Sequence, residues 1–361
     1  MERKLASIQR VREVRPIEGA DAIEVVQINN WNVVSKKGEY EVGDLCIYCE
    51  IDSFLPVKDD FEFLRKSSYR KLADGSEGFR LKTIKLRGQV SQGLVLPIKM
   101  LNGSEEMVIG VSAQPWGDQL QLGPYDDALV IEEGVDVSKH LGIVKYEPPV
   151  PASLAGVARG LFPSFIPKTD EERVQNLTNE YLGYTKTSFY ITEKLDGASF
   201  TAYIKDGEFG VCSRNLDLLE TEDNTMWKVA RELDLETKML SLGKNVSLQG
   251  EIIGEGIQGN PYKLKGQTVK FFNVFDIDSQ EYYGLPIFLA TMQHSLKLET
   301  VPMLTNLTMY LPKTIEELLQ FAEGKSVLCE TAEREGLVIR NMARTISFKV
   351  ISNKFLLKGG E

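Results

Sequence analysis

A proline-rich segment at residues 147–153, EPPVPAS, divides the chain into two parts with different residue patterns. Three of four consecutive positions in this segment are proline, which removes backbone hydrogen-bond donors and favours extended structure. We therefore expect a linker at 147–153 between one domain at 1–146 and a second at 154–361. A length of 361 residues suits two domains of ordinary size.

The first part of the chain predicts a small all-β domain. Short runs of β-branched and apolar residues alternate with glycine and proline, a pattern typical of a small barrel or sandwich. The predicted strands are 22–28, 31–35, 45–51, 79–86 and 93–98.

The second part predicts an α+β mixture. Helices are expected at 169–177, where Thr169 is the candidate N-cap, at 223–240 and at 314–323. The strands are expected within 188–215, as strand, turn, strand, turn, strand, and at 246–253, 269–277, 336–340 and 345–352.

Composition excludes several classes of protein. No run of about 18 apolar residues is present, and the first residues lack an apolar export segment, so we expect a cytoplasmic protein without membrane association. A net charge of −10 argues against a protein that coats nucleic acid but leaves room for a local basic groove. The pair Cys46 and Cys49 lacks the further ligands of a zinc site and indicates two strand cysteines.

A lysine at the end of an apolar strand carries the first chemical signal, in the segment 193–197, EKLDG. Lys194 is either a surface residue before an Asp-Gly turn or a nucleophile. A nucleophilic lysine must be desolvated or lie near other cations, because a free lysine titrates near pH 10.4. A strand end that faces a pocket meets the first condition.

Five further segments follow in order, and each is ambiguous when taken alone. Glu251 could be a solvated strand end, the phenylalanines could be core residues, and Lys349 could be an edge-strand charge. The segments are SRN at 213–215, LQGE at 248–251, FFNVFDI at 271–277, EGLVIR at 335–340 and SFKV at 347–350.

Together and in this order, the six segments resemble the motifs of the covalent nucleotidyltransferases. That superfamily comprises ATP-dependent RNA and DNA ligases and mRNA capping enzymes. The resemblance extends from about residue 154 to the C-terminal end, and the segment 162–176 resembles the one that precedes the nucleophile in RNA ligases. It implies a mixed α/β, ATP-grasp-like nucleotidyltransferase domain with antiparallel sheets.

The resemblance implies catalytic and metal-binding roles for four residues. Lys194 would attack the α-phosphorus of ATP, expel pyrophosphate and hold AMP as a phosphoramidate. Lys349 would neutralise charge on the α-phosphate. Glu251 and Glu335 would place Mg²⁺ or Mn²⁺, and positioning with charge neutralisation is what phosphoryl transfer requires.

The resemblance also implies contacts to the nucleotide. Glu193 would help to read adenine, and Phe272 would stack on the base. Arg214 would contact the ribose and phosphates, and Glu251 could also bind a ribose hydroxyl. One departure concerns the last motif, which in the family is often Lys-x-Lys: the first position here is Ser347, so Lys354 or Arg340 would have to substitute.

The domain order favours one branch of the superfamily. Only twelve residues follow Lys349, whereas DNA ligases and capping enzymes continue into an OB domain. Here the β-rich domain comes first, and its segments 29–44 and 86–97 resemble the OB module of RNA ligases of the Deinococcus and Naegleria type. These enzymes seal 3′-OH/5′-phosphate breaks. The candidate contacts to a nucleic-acid strand are Trp31, Lys36, Lys37, Lys85, Arg87 and Gln92.

The leading interpretation is therefore a monomeric, ATP-dependent RNA ligase that acts on RNA or a nicked RNA-containing duplex in RNA repair. A DNA ligase and a GTP-dependent guanylyltransferase are alternatives within the superfamily. A nucleic-acid-binding protein that has lost activity is an alternative of another class. The intact set of Lys194, Glu251, Glu335 and Lys349 argues against the last one.

Overall fold

The computed structural model divides into two compact units, Met1–Val150 and Pro151–Glu361, and each has its own apolar core. The residues that it describes are 4–72, 75–103, 131–146, 157–305 and 307–358. The proposed linker at 147–153 lies outside them. None of the helices in these ranges has the length and apolar character needed to cross a bilayer.

The first unit is mostly β-structure. Its described strands are β1 (Ala6–Pro16), β2 (Ile23–Ile28), β3 (Trp31–Lys36), β4 (Leu45–Cys49), β5 (Ser53–Pro56), β6 (Tyr69–Lys71), β7 (Glu77–Arg80), β8 (Ile84–Leu86), β9 (Gln89–Ser91), β10 (Leu94–Pro97) and β11 (Val144–Lys145). Its helices are α1 (Arg65–Ser68), α2 (Ser138–Leu141) and the 3₁₀ segments Asp59–Leu64 and Ile98–Gly103.

The long strand β1 organises this unit. Its first half pairs with β4 and its second half with β2, on either side of a register shift between Val11 and Glu13. Such a bulge bends a strand, so the sheet β10-β4-β1-β2-β3 curls. A second sheet has the order β11-β5-β7-β6, and β8 and β9 form a separate hairpin. The curled antiparallel sheet agrees with the predicted small barrel.

The structure corrects three expectations in this unit. The prediction of one strand at 79–86 is wrong, since β7 and β8 are separate strands in different sheets. Trp31 is fully buried beside Tyr48, and Gln92 is buried too, so neither side chain is available as a surface contact for nucleic acid. The other four candidate contacts are exposed: Lys36, Lys37, Lys85 and Arg87.

Cys46 and Cys49 are buried residues of β4. Burial raises the pKa of the Cys46 thiol to about 12, which disfavours the thiolate that a metal would need. In the described ranges, no group of three histidine, cysteine or acidic residues could hold a metal ion. The positions of both residues in β4 agree with the prediction of two strand cysteines.

The second unit contains two sheets with helices. Its described strands are β12 (Ala158–Leu161), β13 (Glu172–Arg173), β14 (Ser188–Lys194), β15 (Ala198–Lys205), β16 (Glu208–Cys212), β17 (Leu216–Leu218), β18 (Val246–Gly254), β19 (Gln267–Asp276), β20 (Glu281–Tyr282), β21 (Met309–Tyr310), β22 (Gly336–Asn341) and β23 (Ser347–Ile351). Its helices are α3 (Thr178–Tyr184), α4 (Thr225–Glu232), α5 (Leu235–Leu240), α6 (Leu285–Ala290), α7 (Ile315–Ala322), α8 (Asn353–Leu357), the 3₁₀ segment Val174–Asn176 and the π-helix Thr291–Leu296.

The chain passes from one of these sheets to the other just after Lys194, and this passage positions the candidate nucleophile. One sheet has the order β12-β17-β16-β15-β18-β19-β20, and the other β13-β23-β22-β14-β21. Among the strand pairs of these two sheets that the structure describes, all are antiparallel except β13 with β23. Because β14 belongs to the second sheet and β15 to the first, the residues 195–197 carry the chain directly from one sheet to the other.

Two of the three predicted helices need correction. The helix predicted at 169–177 is wrong: the chain forms β13 and a 3₁₀ turn there, because β13 pairs with the buried end of β23. The segment 223–240 forms two helices, α4 and α5, separated at Asp234, whose φ of 50° is left-handed. The helix predicted at 314–323 is confirmed as α7, with a capping box between Thr314 and Glu317.

Candidate functional site

Lys194 is the last residue of β14, at the crossing between the sheets. In register it lies opposite Gly336, the first residue of β22, so Glu335 just before it is a neighbour. The Lys194 ammonium donates a hydrogen bond to Glu335 Oε1 at 2.5 Å. The pairing of β14 with β22 therefore joins two predicted site residues that are 141 positions apart.

Gly197 allows the turn after Lys194 to approach β18 closely. A Cβ atom at this glycine would lie 2.4 Å from the carbonyl oxygen of Ile252 and 2.8 Å from Glu251 Cγ. These distances are too short for any side chain. The backbone N–H of Asp196 also donates to the Tyr262 hydroxyl at 2.6 Å. The turn is thus held against β18 on one side and Tyr262 on the other.

The acidic residues around Lys194 repel one another. The pKa of Glu251 is raised to about 8, mainly by burial and also by the charges of Glu335 and Asp196, while the positive charges of Lys194 and Arg214 lower it. Three carboxyl groups thus surround one ammonium group. Such a site favours an added cation.

The carboxyl groups fit a divalent ion that is held partly by the substrate. The described residues include no cluster of three such ligands with the geometry of an all-protein site. Mg²⁺ and similar ions usually bind through one or two carboxylates together with water and substrate phosphates. Glu251 and Glu335 meet that requirement.

Glu193 points to the face of β14 opposite that of Lys194, because successive side chains alternate along a strand. It is 1% exposed, and its Oε2 accepts a hydrogen bond from the backbone N–H of Val327 at 2.8 Å. Its Oε1 is buried and has no hydrogen-bond partner among the described residues. Burial also raises the pKa of this carboxyl group. Glu193 therefore has an acceptor available for a ligand amino group.

Phe272 occupies a bulge in β19. Gln249 of β18 pairs with Asn273 and Gly250 pairs with Phe271, so Phe272 is the extra residue between them. The Arg340 guanidinium lies 5.6 Å from the centre of its ring. Phe272 is not fully buried and packs against an apolar cluster that includes Leu195, the residue after the nucleophile.

Lys349 shares a sheet face with Lys194. Lys194 and Thr192 are two positions apart on β14, and Thr192 lies opposite Val338, which in turn lies opposite Lys349 on β23. Lys349 is only 8% exposed, and its ammonium group donates to Asp170 at 3.0 Å. A buried cation therefore lies on the same face as the candidate nucleophile.

Arg340 is the better placed of the two substitutes proposed for a lysine at 347. It lies opposite Ser347 in register and donates to Thr192 at 3.3 Å, on the Lys349 face. Lys354 lies on α8 and pairs instead with Glu323, which follows α7.

Arg214 lies in the turn between β16 and β17, which is closed by a hydrogen bond from Ser213 N–H to the Leu216 carbonyl. The side chain is exposed, and its charge lowers the pKa of Glu251. All seven predicted site residues therefore lie in the second unit, and Lys194, Glu251, Glu335 and Arg214 interact electrostatically.

Sequence reasoning assigned no role to the acidic pair before β13. Asp170 accepts from Lys349, and Glu171 accepts from Arg340 and Arg344 at 3.3 and 3.0 Å. Burial raises the pKa of Glu171, but the charges of the two arginines outweigh this effect and hold the pKa below its ordinary value. The available signal was the resemblance of segment 162–176, which contains both residues.

Two family models match separate parts of the chain. A family model described as an OB-fold domain matches residues 5–98, and one described as RNA ligase matches residues 187–356. A comparison with curated protein sequences finds no match.

Solved structures of the Naegleria gruberi RNA ligase are similar to the whole chain. A mutant with AMP and Mn matches with 39% identity and a TM-score of 0.84, covering 98% of each chain. A mutant with ATP and Mn gives the same values. The structure with PPi matches with 39% identity and a TM-score of 0.83, again over 98% of each chain.

Proposed function

The chain belongs to the RNA ligase family, and we propose that it seals 3′-OH/5′-phosphate breaks in RNA through a lysyl-AMP intermediate on Lys194, as a repair enzyme. ATP supplies the AMP, and Mg²⁺ or Mn²⁺ assists. The observation that carries the proposal is the position of Lys194. It lies where two sheets meet, 2.5 Å from Glu335 and beside Glu251.

In the first step, the Lys194 nitrogen attacks the α-phosphorus of ATP. The new N–P bond replaces the bond to the bridging oxygen, and pyrophosphate leaves with that electron pair. The ammonium group must first lose a proton. Glu335 Oε1, which already accepts its hydrogen bond, is placed to receive it.

Charge on the phosphate is met by a preorganised cation. Lys349 lies on the Lys194 face of the sheet, and Asp170 holds its ammonium group. A fixed cation near the developing charge lowers the barrier, because it needs no reorganisation during the reaction. Arg340 adds a second buried positive charge on this face.

The base is recognised by shape and by one hydrogen-bond acceptor. Phe272 offers a ring for stacking, and Arg340 supports that ring. Glu193 Oε1 accepts from the exocyclic amine of adenine. Guanine carries an oxygen at that position, so the unpaired acceptor favours ATP over GTP.

Glu251 and Glu335 are the residues that would hold the divalent ion, together with the phosphates of ATP. When bound, the ion would neutralise phosphate charge as a Lewis acid. Removal of the proton from Glu251 is required before its carboxylate can serve as a ligand.

In the later steps, AMP moves from Lys194 to a 5′-phosphate, and a 3′-OH then attacks that phosphate and releases AMP. The OB-fold unit would hold the broken strand. Its exposed Lys36, Lys37, Lys85 and Arg87 are suitable for phosphate contacts.

The test is covalent labelling followed by sealing. With labelled ATP and a divalent ion, the wild type should form an acid-labile adduct, whereas Lys194→Ala and Lys194→Arg should form none, since a guanidinium is not a nucleophile near neutral pH. Lys313→Ala, at an exposed lysine before α7, is the matched control. An adduct on Lys194→Ala would show that the nucleophile is another residue.

Substrate choice separates the alternatives. Labelling by GTP rather than ATP would favour a guanylyltransferase. Nicked duplexes with RNA or DNA on the 3′-OH side distinguish an RNA ligase from a DNA ligase, and we expect sealing to require RNA on that side.

A further inference from the structure

The loop at residues 255–266 joins β18 to β19 and is attached to the nucleophile turn at two points. The Tyr262 hydroxyl accepts from the Asp196 N–H at 2.6 Å, and the Gln258 side-chain amide donates to the Gly197 carbonyl at 3.3 Å. Both bonds end within three residues of Lys194. The loop therefore lies directly beside the reacting lysine.

The conformation of this loop is held by specific contacts. Three residues other than glycine, Gln258, Asn260 and Lys263, have left-handed φ values of 46°, 52° and 55°. Such values are uncommon for these residues and persist only where the surroundings enforce them. The Asn260 side chain does so here, because it bonds both the N–H and the carbonyl of Leu264.

Buried or half-buried side chains alternate with exposed ones along residues 262–265, and the two exposed ones are lysines. Tyr262 is buried in an apolar cluster that includes Leu195, and Leu264 packs against this cluster. Lys263 and Lys265, the residues between and after them, are exposed. The loop is thus hydrogen-bonded to the nucleophile turn through Tyr262 and Gln258, and it exposes two positive charges, those of Lys263 and Lys265, to solvent.

These two lysines are not committed to ion pairs within the described parts of the chain. By contrast, Lys270 and Lys325, which come later in the sequence, pair with Glu299 and Glu333. No described carboxylate lies within ion-pair distance of Lys263 or Lys265. The loop's single acidic residue, Glu255, is at its opposite end from the lysines.

We propose that Lys263 and Lys265 bind the backbone of the 5′-phosphorylated RNA strand and guide its terminal phosphate to the AMP on Lys194. The inference rests on the proposed function, because it concerns the second step of that reaction. A strand end is the anion that must approach Lys194 once pyrophosphate has left. Cations on a loop bonded to the nucleophile turn give it a defined approach.

The size of the effect follows from counterion release. Each phosphate contact contributes a salt slope of about 0.7 on single strands and 0.9 on duplex, which at about 0.1 M salt corresponds to roughly 5- to 8-fold in affinity per contact. Loss of two contacts should weaken strand binding by about 25- to 60-fold. The slope of log affinity against log salt should become shallower by about 1.4 to 1.8.

The experiment uses the full-length protein with both lysines changed, Lys263→Gln with Lys265→Gln. Preformed enzyme–AMP is mixed with a 5′-phosphorylated nicked duplex, and AMP transfer is measured in single turnover against strand concentration and salt. The matched control is Lys244→Gln with Lys297→Gln, two exposed lysines elsewhere in the unit; Lys297 shares the left-handed φ of Lys263. A third variant, Lys263→Arg with Lys265→Arg, keeps the charges.

We expect the Gln variant to form lysyl-AMP at the wild-type rate and KM for ATP, to bind the strand more weakly by the factor above, and to regain binding in the Arg variant. Strand binding and salt slope equal to the control would overturn the inference. So would a raised KM for ATP with normal strand binding, which would assign the lysines to the nucleotide. A wild type that forms no adduct would overturn the proposed function itself, and this inference with it.

Discussion

The close approach of Gly197 to β18 makes Gly197→Ala a direct test of how the nucleophile is positioned. The added Cβ would lie 2.4 Å from the Ile252 carbonyl oxygen, where ordinary contacts begin at 3.4 Å. The backbone oxygen belongs to the central β15–β18 pairing and cannot rotate away. The turn that carries Lys194 must therefore move by about 1 Å.

A displacement of this size has predictable consequences. Misplacement of a reacting group by about 1 Å costs around 10²-fold in rate, so lysyl-AMP formation should slow by that factor at saturating ATP. Gly197 is half-buried, and overpacking costs about 1–3 kcal/mol, so the variant should still fold but melt at a lower temperature. The rate should thus fall much further than the folded fraction.

The assay measures adduct formation and Tm for Gly197→Ala beside Gly183→Ala. Gly183 lies in α3, where an added Cβ meets nothing within 4 Å, so alanine there should leave the rate unchanged. Unchanged adduct formation by Gly197→Ala would refute the argument that the contact with β18 positions Lys194. A loss of rate that only matches the loss of folded protein would refute it as well.

Three further predictions follow from the site and the two units. Lys349→Ala should slow adenylylation by roughly 10²–10³ while leaving the protein folded, as rate and Tm measurements would show; a near-normal rate would move the role to another cation. Burial raises the pKa of Glu251 to about 8 from an ordinary 4.5, so its contribution to folding is present below about pH 4.5 and is lost as pH rises through 8. In chelator, Tm should therefore fall between about pH 5 and 8 more for the wild type than for Glu251→Gln, and identical profiles would contradict this. A fragment from residue 154, which keeps its own cores, should form the Lys194 adduct but seal nicks poorly compared with the full chain; equal sealing would remove the substrate role of the first unit.

The sequence by itself determined the elements whose signals are local. The capping box of α7 lies within four residues, and the strand–turn–strand succession from β14 to β16 follows from apolar runs broken by Asp-Gly turns. The six ordered segments identified every residue proposed for the nucleotide site. The capping box and the hairpins can be predicted because the residues that interact in them are close in the chain, whereas the site residues were indicated by the resemblance of their segments to a known family.

Only the tertiary structure decided the features that depend on distant partners. Strand β1 carries four charged residues among its last seven positions and does not look like a strand, yet β2 and β4 pair with it on both sides. Segment 169–177 resembles a helix start but forms β13, because β23 offers it a pairing edge. Local propensity was overridden in both cases by pairing that no short window contains.

The geometry of the site is tertiary for the same reason. The bonds from Lys194 to Glu335 and from Lys349 to Asp170 span 141 and 179 positions. The bulge that frees Phe272 exists only through the register of β18 with β19. The residue types needed for nucleotidyl transfer are thus written locally in the sequence, whereas their convergence on one face arises from strand pairing between segments far apart in the chain.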